Sequence, residues 1–373
     1  MSSGGSLEKR AGLSSALCIL KPRMLLQENI PLAPLTTLRL GGPARFFVEA
    51  KSISDVQEAV AFAQARKLAV FILGGGSNLV VADNGWPGLV LKVAISGIEE
   101  HPENAQGETL FDVGAGEYWD RFVAHAVRAQ CAGVECLSGI PGSVGGTPVQ
   151  NVGAYGQEVS ETIESVQVFD LKDGQVRDLC SEACGFTYRS SIFNTSERGR
   201  FVILRVSYRL TRGGEPRLDY ADLKRHFEGR ETRPNLAETR AAVRHIRARK
   251  GMLIVEGDPD CQSAGSFFKN PVLSEQQHED LAGRAAAKGL TLPSYPALEK
   301  SRKVSAAWLV EKSGFARGYG FGNVGISSKH ALAIVNRGGA TAAEVLALKG
   351  EIQQRVEELW EVRLEPEPVM VGF

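Results

Sequence analysis

The stretch LAVFILGGGSNLVVAD, Leu68 to Asp83, decides how the rest of the chain is read. An apolar run ends in three consecutive glycines, and Ser77-Asn78 leads straight into a second apolar run, so the segment reads strand, glycine loop, strand. Successive backbone N–H groups with no Cβ in front of them form a nest that receives anionic oxygens. An ordinary tight turn has the same composition, so this loop alone leaves both readings open. Two nucleotide motifs are excluded: GGGSNL lacks the third glycine of the dinucleotide fingerprint and is followed by a strand rather than a helix, and no Gly-Lys-Ser/Thr of a P-loop follows.

Upstream, ARFFVEA (Ala44–Ala50) reads as a strand, and Ser54 with Gln57 forms a capping-box pattern ahead of VQEAVAFAQARK. Downstream, LVLKVA, TLFDVGAG, ESVQVFDL and RFVILRVSYRL read as strands around one helix, WDRFVAHAVRAQCAG, which makes the class α+β. A second glycine cluster, SGIPGSVGGTPVQNVGAYGQEV (Ser138–Val159), is too rich in glycine for a helix or strand interior and predicts a long ordered loop. It adds Ser143, Gln150 and Asn151 as donors, and two such loops fit the two sides of a pyrophosphate-bridged cofactor. Residues 213–240 are charged and broken by Pro and Gly, as a connection between domains would be. A basic helix (RAAVRHIRARK), a glycine-flanked strand (GSFFKNPVL) and a helix opened by Ser274 and Gln277 follow. The last helix begins at Thr341 with Glu344 and is apolar along Val345, Leu348, Ile352, Val356 and Leu359.

The chain has 373 residues, enough for two or three domains. Its 43 Lys+Arg balance 43 Asp+Glu, so no bulk charge draws it to nucleic acid or an anionic membrane, and small molecules are the expected partners. No apolar run approaches the roughly 18 residues of a spanning helix. Six scattered cysteines predict reduced thiols in a cytoplasmic protein rather than a disulfide framework. The six histidines show no HxH or HExxH spacing, so no metal site is expected and the histidines read as surface or packing residues. Residues 1–23 read as a loosely ordered extension.

Seven segments resemble the UDP-N-acetylenolpyruvoylglucosamine reductase family: TTLRLGGPA (Thr36–Ala44), LGGGSNLV (Leu73–Val80), LSGIPGSVGGTPVQNVGAYGQEV (Leu137–Val159), YRSSIF (Tyr188–Phe193), AGSFFKNP (Ala264–Pro271), AAWLVEKSG (Ala306–Gly314) and LEPE (Leu364–Glu367). In order and spacing they cover nearly the whole chain after residue 30. LDYADL, around Tyr220, resembles the form of the family whose tyrosine loop folds over substrate. The departures are the N-terminal extension, the insert GMLIVEGDPDCQ and Pro368. The resemblance implies a two-subdomain FAD-binding fold of the vanillyl-alcohol-oxidase/PCMH type plus a separate α/β substrate-binding domain. The expected division is residues 24–95 with the tail 361–373, residues 96–212, a connection 213–250 carrying the tyrosine loop and basic helix, and a substrate domain 251–360.

The activity this resemblance implies is NADPH-dependent reduction of the enolpyruvyl ether of UDP-N-acetylglucosamine to UDP-N-acetylmuramate through FAD, a step in peptidoglycan precursor synthesis. Gly74, Gly75, Gly76, Ser77, Asn78, Ser143, Gly146, Gln150, Asn151, Gly153, Ala154 and Ile203 are the implied FAD contacts. Arg189 would stabilise the enediolate-like charge on the substrate carboxylate, where a fixed fork of donors is effective. Glu367, between Pro366 and Pro368, matches the family's catalytic glutamate and needs a raised pKa to act as an acid. Glu365 is assigned a structural role by motif register. Ser266 matches the proton donor; by itself it reads as a serine in a strand-edge turn. Tyr220, Arg247, Lys250 and Asn270 are implied substrate contacts, whereas Arg240 and Arg244 are equally compatible with a solvated basic face. No His or Cys adjoins GGGSN, so FAD is expected to be noncovalent, and with no second dinucleotide fingerprint NADPH is expected to use the substrate cleft in turn, in a monomer. A flavin oxidase or dehydrogenase of the same fold acting on another substrate is the alternative. A serine acyl-enzyme (Ser266 to Lys269 as SxxK) lacks the SDN element, and a sugar-nucleotide binder without flavin would be colourless.

Overall fold

The computed structural model describes residues 24–297 and 300–373; the expected N-terminal extension lies outside the described residues. The first sheet runs in the order Leu26–Pro31, Pro43–Ala50, Trp86–Val93, Val70–Leu73. Pro43–Ala50, Trp86–Val93 and Val70–Leu73 run parallel, and the edge strand Leu26–Pro31 is antiparallel to its neighbour. Helix α1 (Ile53–Ala65) covers this sheet with Val56, Ala59, Val60 and Ala63. Its capping box is Ser52 with Asp55, not Ser54 with Gln57. Asp55 reaches back to the amides of Lys51 and Ser52, and no such return bond is open to residues already inside the first turn.

The second sheet is antiparallel, in the order Val176–Cys180, Ile163–Asp170, Phe201–Arg212, Glu108–Gly114, Ile98–Glu100. Helix α2 (Trp119–Arg128) packs on it through Trp119, Phe122, Val123 and Ala126. The two sheets share one core: Val48, Leu89 and Leu91 of the first join Phe111, Val113 and Tyr208 of the second and Phe122 of α2. Each fully buried side chain of this kind contributes about 1.5–3 kcal/mol by leaving water. Such a continuous core fixes the angle between the sheets, and with it the spacing of the loops at their edges.

Residues 213–235 contain the short helix α3 (Ala221–His226), and α4 (Leu236–Arg249) begins before the basic stretch, capped by Asn235 with Glu238. Both helices lie against the second glycine loop through Cys136, Tyr155, Leu223, Val243 and Ile246.

The rest builds around a four-stranded sheet, Ser263–Ser266, Ala333–Asn336, Val324–Ile326, Gly320–Phe321. Helices α5 (Glu275–Ala287), α6 (Ala306–Lys312) and α7 (Ala342–Trp360) complete it. The expected capping boxes at Ser274–Gln277 and Thr341–Glu344 are both formed. Val345, Leu348, Ile352 and Val356 are buried on one face of α7, with Leu359 half-buried beside them. GSFFKNPVL is not one strand: Ser266 ends a strand of the large sheet, and Val272–Ser274 belongs to a separate three-stranded sheet. Pro271 cannot donate to a ladder, and the chain turns there. The C-terminal strand Val369–Val371 returns to lie parallel to Leu79–Val81, the strand that follows the first glycine loop. That pairing carries the LEPEP segment into the middle of the molecule.

Candidate active site

The two glycine loops touch. A Cβ on Gly75 would sit 2.4 Å from the Cα of Gly142 and 2.6 Å from the amide nitrogen of Ser143, and one on Gly74 would sit 2.9 Å from Ser143 Oγ. Gly76 has φ of +66°, and its Cβ would strike the Leu35 carbonyl at 1.9 Å, so only glycine fits. Ser77 meets Gly142, and Gly146 faces open space. Ser143 Oγ is buried and has no hydrogen-bond partner. A buried hydroxyl left unpaired costs about 1–3 kcal/mol, so its presence marks a place where a further polar group fits. Thr37 ties the first loop to the third sheet: its amide donates to Gly76 O at 3.0 Å and its hydroxyl to Ser263 O at 2.7 Å.

From this base a chain of polar contacts runs inward. Asn78 Nδ2 donates to Gln150 Oε1 at 2.6 Å and to the Glu367 carbonyl at 3.2 Å, and Gln150 Nε2 donates to Glu367 Oε1 at 3.2 Å. Arg189 Nε lies 3.2 Å from the same Oε1, without the alignment of a hydrogen bond, while its Nη2 donates to Gly153 O at 2.8 Å. Arg189 has φ of +55°, a left-handed conformation that costs a non-glycine residue about 1–2 kcal/mol. The Asn194 amide donating to Arg189 O at 3.1 Å helps hold it there. Burial raises the Glu367 carboxyl above the ordinary carboxylate range, and the nearby charges of Arg189 and Lys269 only partly oppose it.

The AGSFFKNP segment reaches Glu367 through register. The segment Phe267–Lys269 lies antiparallel to Glu365–Glu367: Glu367 N donates to Phe267 O at 2.9 Å and Lys269 N to Glu365 O at 3.0 Å. The residue before Phe267 is Ser266, so three motifs from distant parts of the sequence meet around Glu367. Glu365 points outward, its side chain 75% exposed, with Lys269 at 3.5 Å.

The remaining expected residues divide. Tyr220 stacks edge-on against Tyr155 at 5.3 Å, and Lys250 Nζ lies 2.6 Å from Asp222 and 5.8 Å from the Tyr155 ring centre. Arg247 is buried, donates from Nη2 to Met252 O at 2.5 Å and leaves its Nε without a partner. Asn270 caps α6, its Oδ1 accepting from Ala306 N at 2.9 Å. Asn151 spends its side-chain amide on protein groups: Nδ2 donates to Glu158 Oε2 at 2.8 Å and to Thr187 O at 3.1 Å, and Oδ1 accepts from Ser160 N at 3.1 Å. Gly153-Ala154 pairs with Gln157-Glu158, and Ile203 lies in the shared core opposite Val168. Arg240 and Arg244 both bind Asp120, at 2.6 and 2.5 Å; Arg240 is largely buried there, while the Arg244 side chain stays 39% exposed.

Two neighbours of the site carry no motif signal. His330 Nε2 lies 3.2 Å from Ser266 Oγ, and Lys303 Nζ sits 3.7 Å above the Tyr188 ring. Contacts of this kind are made by folding and have no spacing rule. Glu99, His101 and Asp112 also bring ligand-type atoms together, but Asp112 is already engaged by Ser207 and Arg205. The five described cysteines form no disulfide, and among the described residues no helix is long and apolar enough to cross a membrane.

Residues 44–179 match the family model of an FAD binding domain, and residues 258–371 match that of the UDP-N-acetylenolpyruvoylglucosamine reductase C-terminal domain. The chain is 45% identical over 350 residues to the UDP-N-acetylenolpyruvoylglucosamine reductase of Thermobifida fusca, covering 92% of this chain and 98% of that protein. It is 47% identical over 348 residues to that of Salinispora arenicola, covering 91% and 94%. The crystal structure of the Thermus caldophilus reductase superposes with a TM-score of 0.61 at 29% identity, over 94% of this chain and 99% of that one. The expected α+β architecture with an FAD-binding domain is therefore present. Relatives matched almost end to end, and a C-terminal model spanning both the AGSFFKNP and LEPE segments, show that the chain belongs to the UDP-N-acetylenolpyruvoylglucosamine reductase family.

Proposed function

We propose that this chain uses FAD and NADPH to reduce UDP-N-acetylenolpyruvoylglucosamine to UDP-N-acetylmuramate, with Ser266, Arg189 and Glu367 as its catalytic residues. Family membership supports the flavoenzyme reaction, and the meeting of Gln150 and Arg189 at the Glu367 carboxylate, with Asn78 holding Gln150 and the Glu367 carbonyl, is the observation that supports the residues. The glycine loops fit FAD: their backbones meet where side chains are excluded, and the Ser143 hydroxyl waits for a partner. Gly74 to Asn78, Ser143, Gly146, Gln150 and the main chain of Asn151 to Ala154 would hold the cofactor without a covalent link. Bound there, the flavin supplies the hydride chemistry that no side chain can.

The chain's own residues then have distinct tasks. Arg189, held at its turn by Gly153 and Asn194, presents a fixed cation to the substrate carboxylate as charge builds there. Burial raises the Glu367 carboxyl above the ordinary range, and in its acid form it can donate a hydrogen bond to that charge rather than repel it. Ser266 gives a proton to the carbon beside the carboxylate, and positioning compensates for its weak acidity. Tyr220, Lys250 and Asn270, with Arg247 behind them, are assigned to the nucleotide diphosphate. The same cleft serves NADPH and substrate in turn, by a monomer divided as residues 24–95 with 361–373, 96–212, 213–250 and 251–360, in the cytoplasm. The test is spectroscopic: purified protein should be yellow, NADPH should bleach it, and only the enolpyruvyl sugar nucleotide should restore the colour under anaerobic conditions. A flavin that NADPH reduces but that substrate does not reoxidise would refute the assignment.

A further inference from the structure

The histidines read in the sequence as surface or packing residues, yet His330 stands beside the proposed proton donor. The strand Ala333–Asn336 pairs with Ser263–Ser266, with Ser266 opposite Ala333, and Phe267 N donates to Leu332 O at 2.7 Å. His330 N donates to Ser327 Oγ at 3.2 Å, and Ala333 N donates to His330 O at 3.1 Å. The imidazole is therefore carried by the turn that leads into the strand pairing with Ser266, and the main-chain amide and carbonyl of His330 are both held while Nε2 lies 3.2 Å from Ser266 Oγ.

The direction of that hydrogen bond matters for chemistry. A serine hydroxyl has one proton. If Oγ donates it to Nε2, the proton points away from the substrate and is lost to the reaction. If Nε2–H donates to Oγ, the serine proton is free to face the substrate carbon. We infer that His330 is the positioning residue of Ser266, its neutral ring donating from Nε2 so that the serine's proton is aimed at the substrate; this rests on the reading of Ser266 as proton donor. In the step itself the Ser266 O–H bond breaks, the electron pair of the enediolate carbon forms the new C–H bond, and the serine oxygen keeps its pair as an alkoxide. Nε2–H holds that alkoxide until a proton from water restores the hydroxyl. Burial depresses the imidazole to a pKa of about 4, helped by the facing charges of Lys250, Arg247 and Arg317, so the ring stays neutral near physiological pH. The same three cations favour the alkoxide.

The experiment follows the two half-reactions of the holoenzyme by stopped flow, in Ser266→Ala, His330→Ala, His330→Gln and the double alanine variant. His330→Ala should slow flavin reoxidation at saturating substrate about 100-fold and change flavin reduction by NADPH less than about threefold. His330→Gln, whose amide donates without titrating, should recover most of the rate, and adding His330→Ala to Ser266→Ala should cost nothing more. ¹⁵N spectra of the holoenzyme at about pH 7 should show a neutral ring protonated at Nε2. A loss that disappears at saturating substrate, a Gln variant no better than Ala, or a ring protonated at Nδ1 would overturn the inference. Reoxidation left intact by Ser266→Ala would instead refute the serine assignment, and with it this one. Slow Ser266→Ala with unimpaired His330→Ala would refute the histidine's part alone.

Discussion

The Lys250 ammonium lies 2.6 Å from Asp222 Oδ2 and so ties the end of α4 to the helix that opens at Tyr220. If Lys250 meets the substrate diphosphate, Asp222 competes with that ligand. The pair is partly exposed and worth at most about 1 kcal/mol. Asp222→Asn should therefore lower the KM for the sugar nucleotide by up to about fivefold, and Lys250→Ala should raise it. An unchanged KM in Asp222→Asn would show that the pair survives in the complex.

Gly75→Ala forces a methyl against backbone atoms of Gly142 and Ser143, which cannot rotate away. The variant should purify with little flavin, and FAD titration followed by the blue absorbance band should give much weaker affinity. Retention of a full complement would separate the loop contact from cofactor binding.

Ser266→Ala removes only a proton donor. Flavin reduction by NADPH should stay within about threefold of the parent, while reoxidation by substrate falls about 100- to 1,000-fold. Equal losses in both half-reactions under stopped flow would contradict the role of Ser266.

Glu367 has a pKa raised by burial above its unfolded value of 4.5, so the folded state holds the proton more tightly. Its favourable contribution is complete below that unfolded value and is lost as pH rises through the folded pKa. Glu367→Gln mimics the favoured neutral form. It should melt no lower than the parent at neutral pH, with the difference shrinking in acid, yet be strongly impaired in reoxidation. A lower melting temperature at neutral pH would mean that the Arg189 contact outweighs burial.

Asp120 accepts from Gly139 N, Arg240 and Arg244. Burial alone would raise its carboxyl, but these hydrogen bonds and charges bring it below the ordinary value. Asp120→Ala strands two cations and should cost about 3 kcal/mol in urea unfolding. In the parent, the contribution of Asp120 is present above its unfolded pKa and is lost as pH falls through the depressed one.

Much of the site was legible because backbone chemistry is written locally. Three glycines between two apolar runs, the Pro-Glu-Pro segment and the capping pairs at Ser274 and Thr341 each act over a few residues, and the structure keeps them. The Ser54 cap failed for an equally local reason: Ser52 offers the same hydroxyl two residues earlier, with Asp55 able to answer it.

What the sequence determined by itself was the α+β class, the two glycine loops and the residue types that the chemistry needs. Only the tertiary structure decided which of those residues meet. Arg240 and Arg244 meet Asp120 because a buried carboxylate on α2 needs partners, and Asn151 is consumed in tying its loop to Thr187. Glu367 arrives at Arg189 because a C-terminal strand pairs beside Leu79–Val81, and His330 arrives at Ser266 because two strands share a ladder. Pairings between distant segments are chosen by the burial of a common core, a property of the whole chain that no short stretch of it encodes.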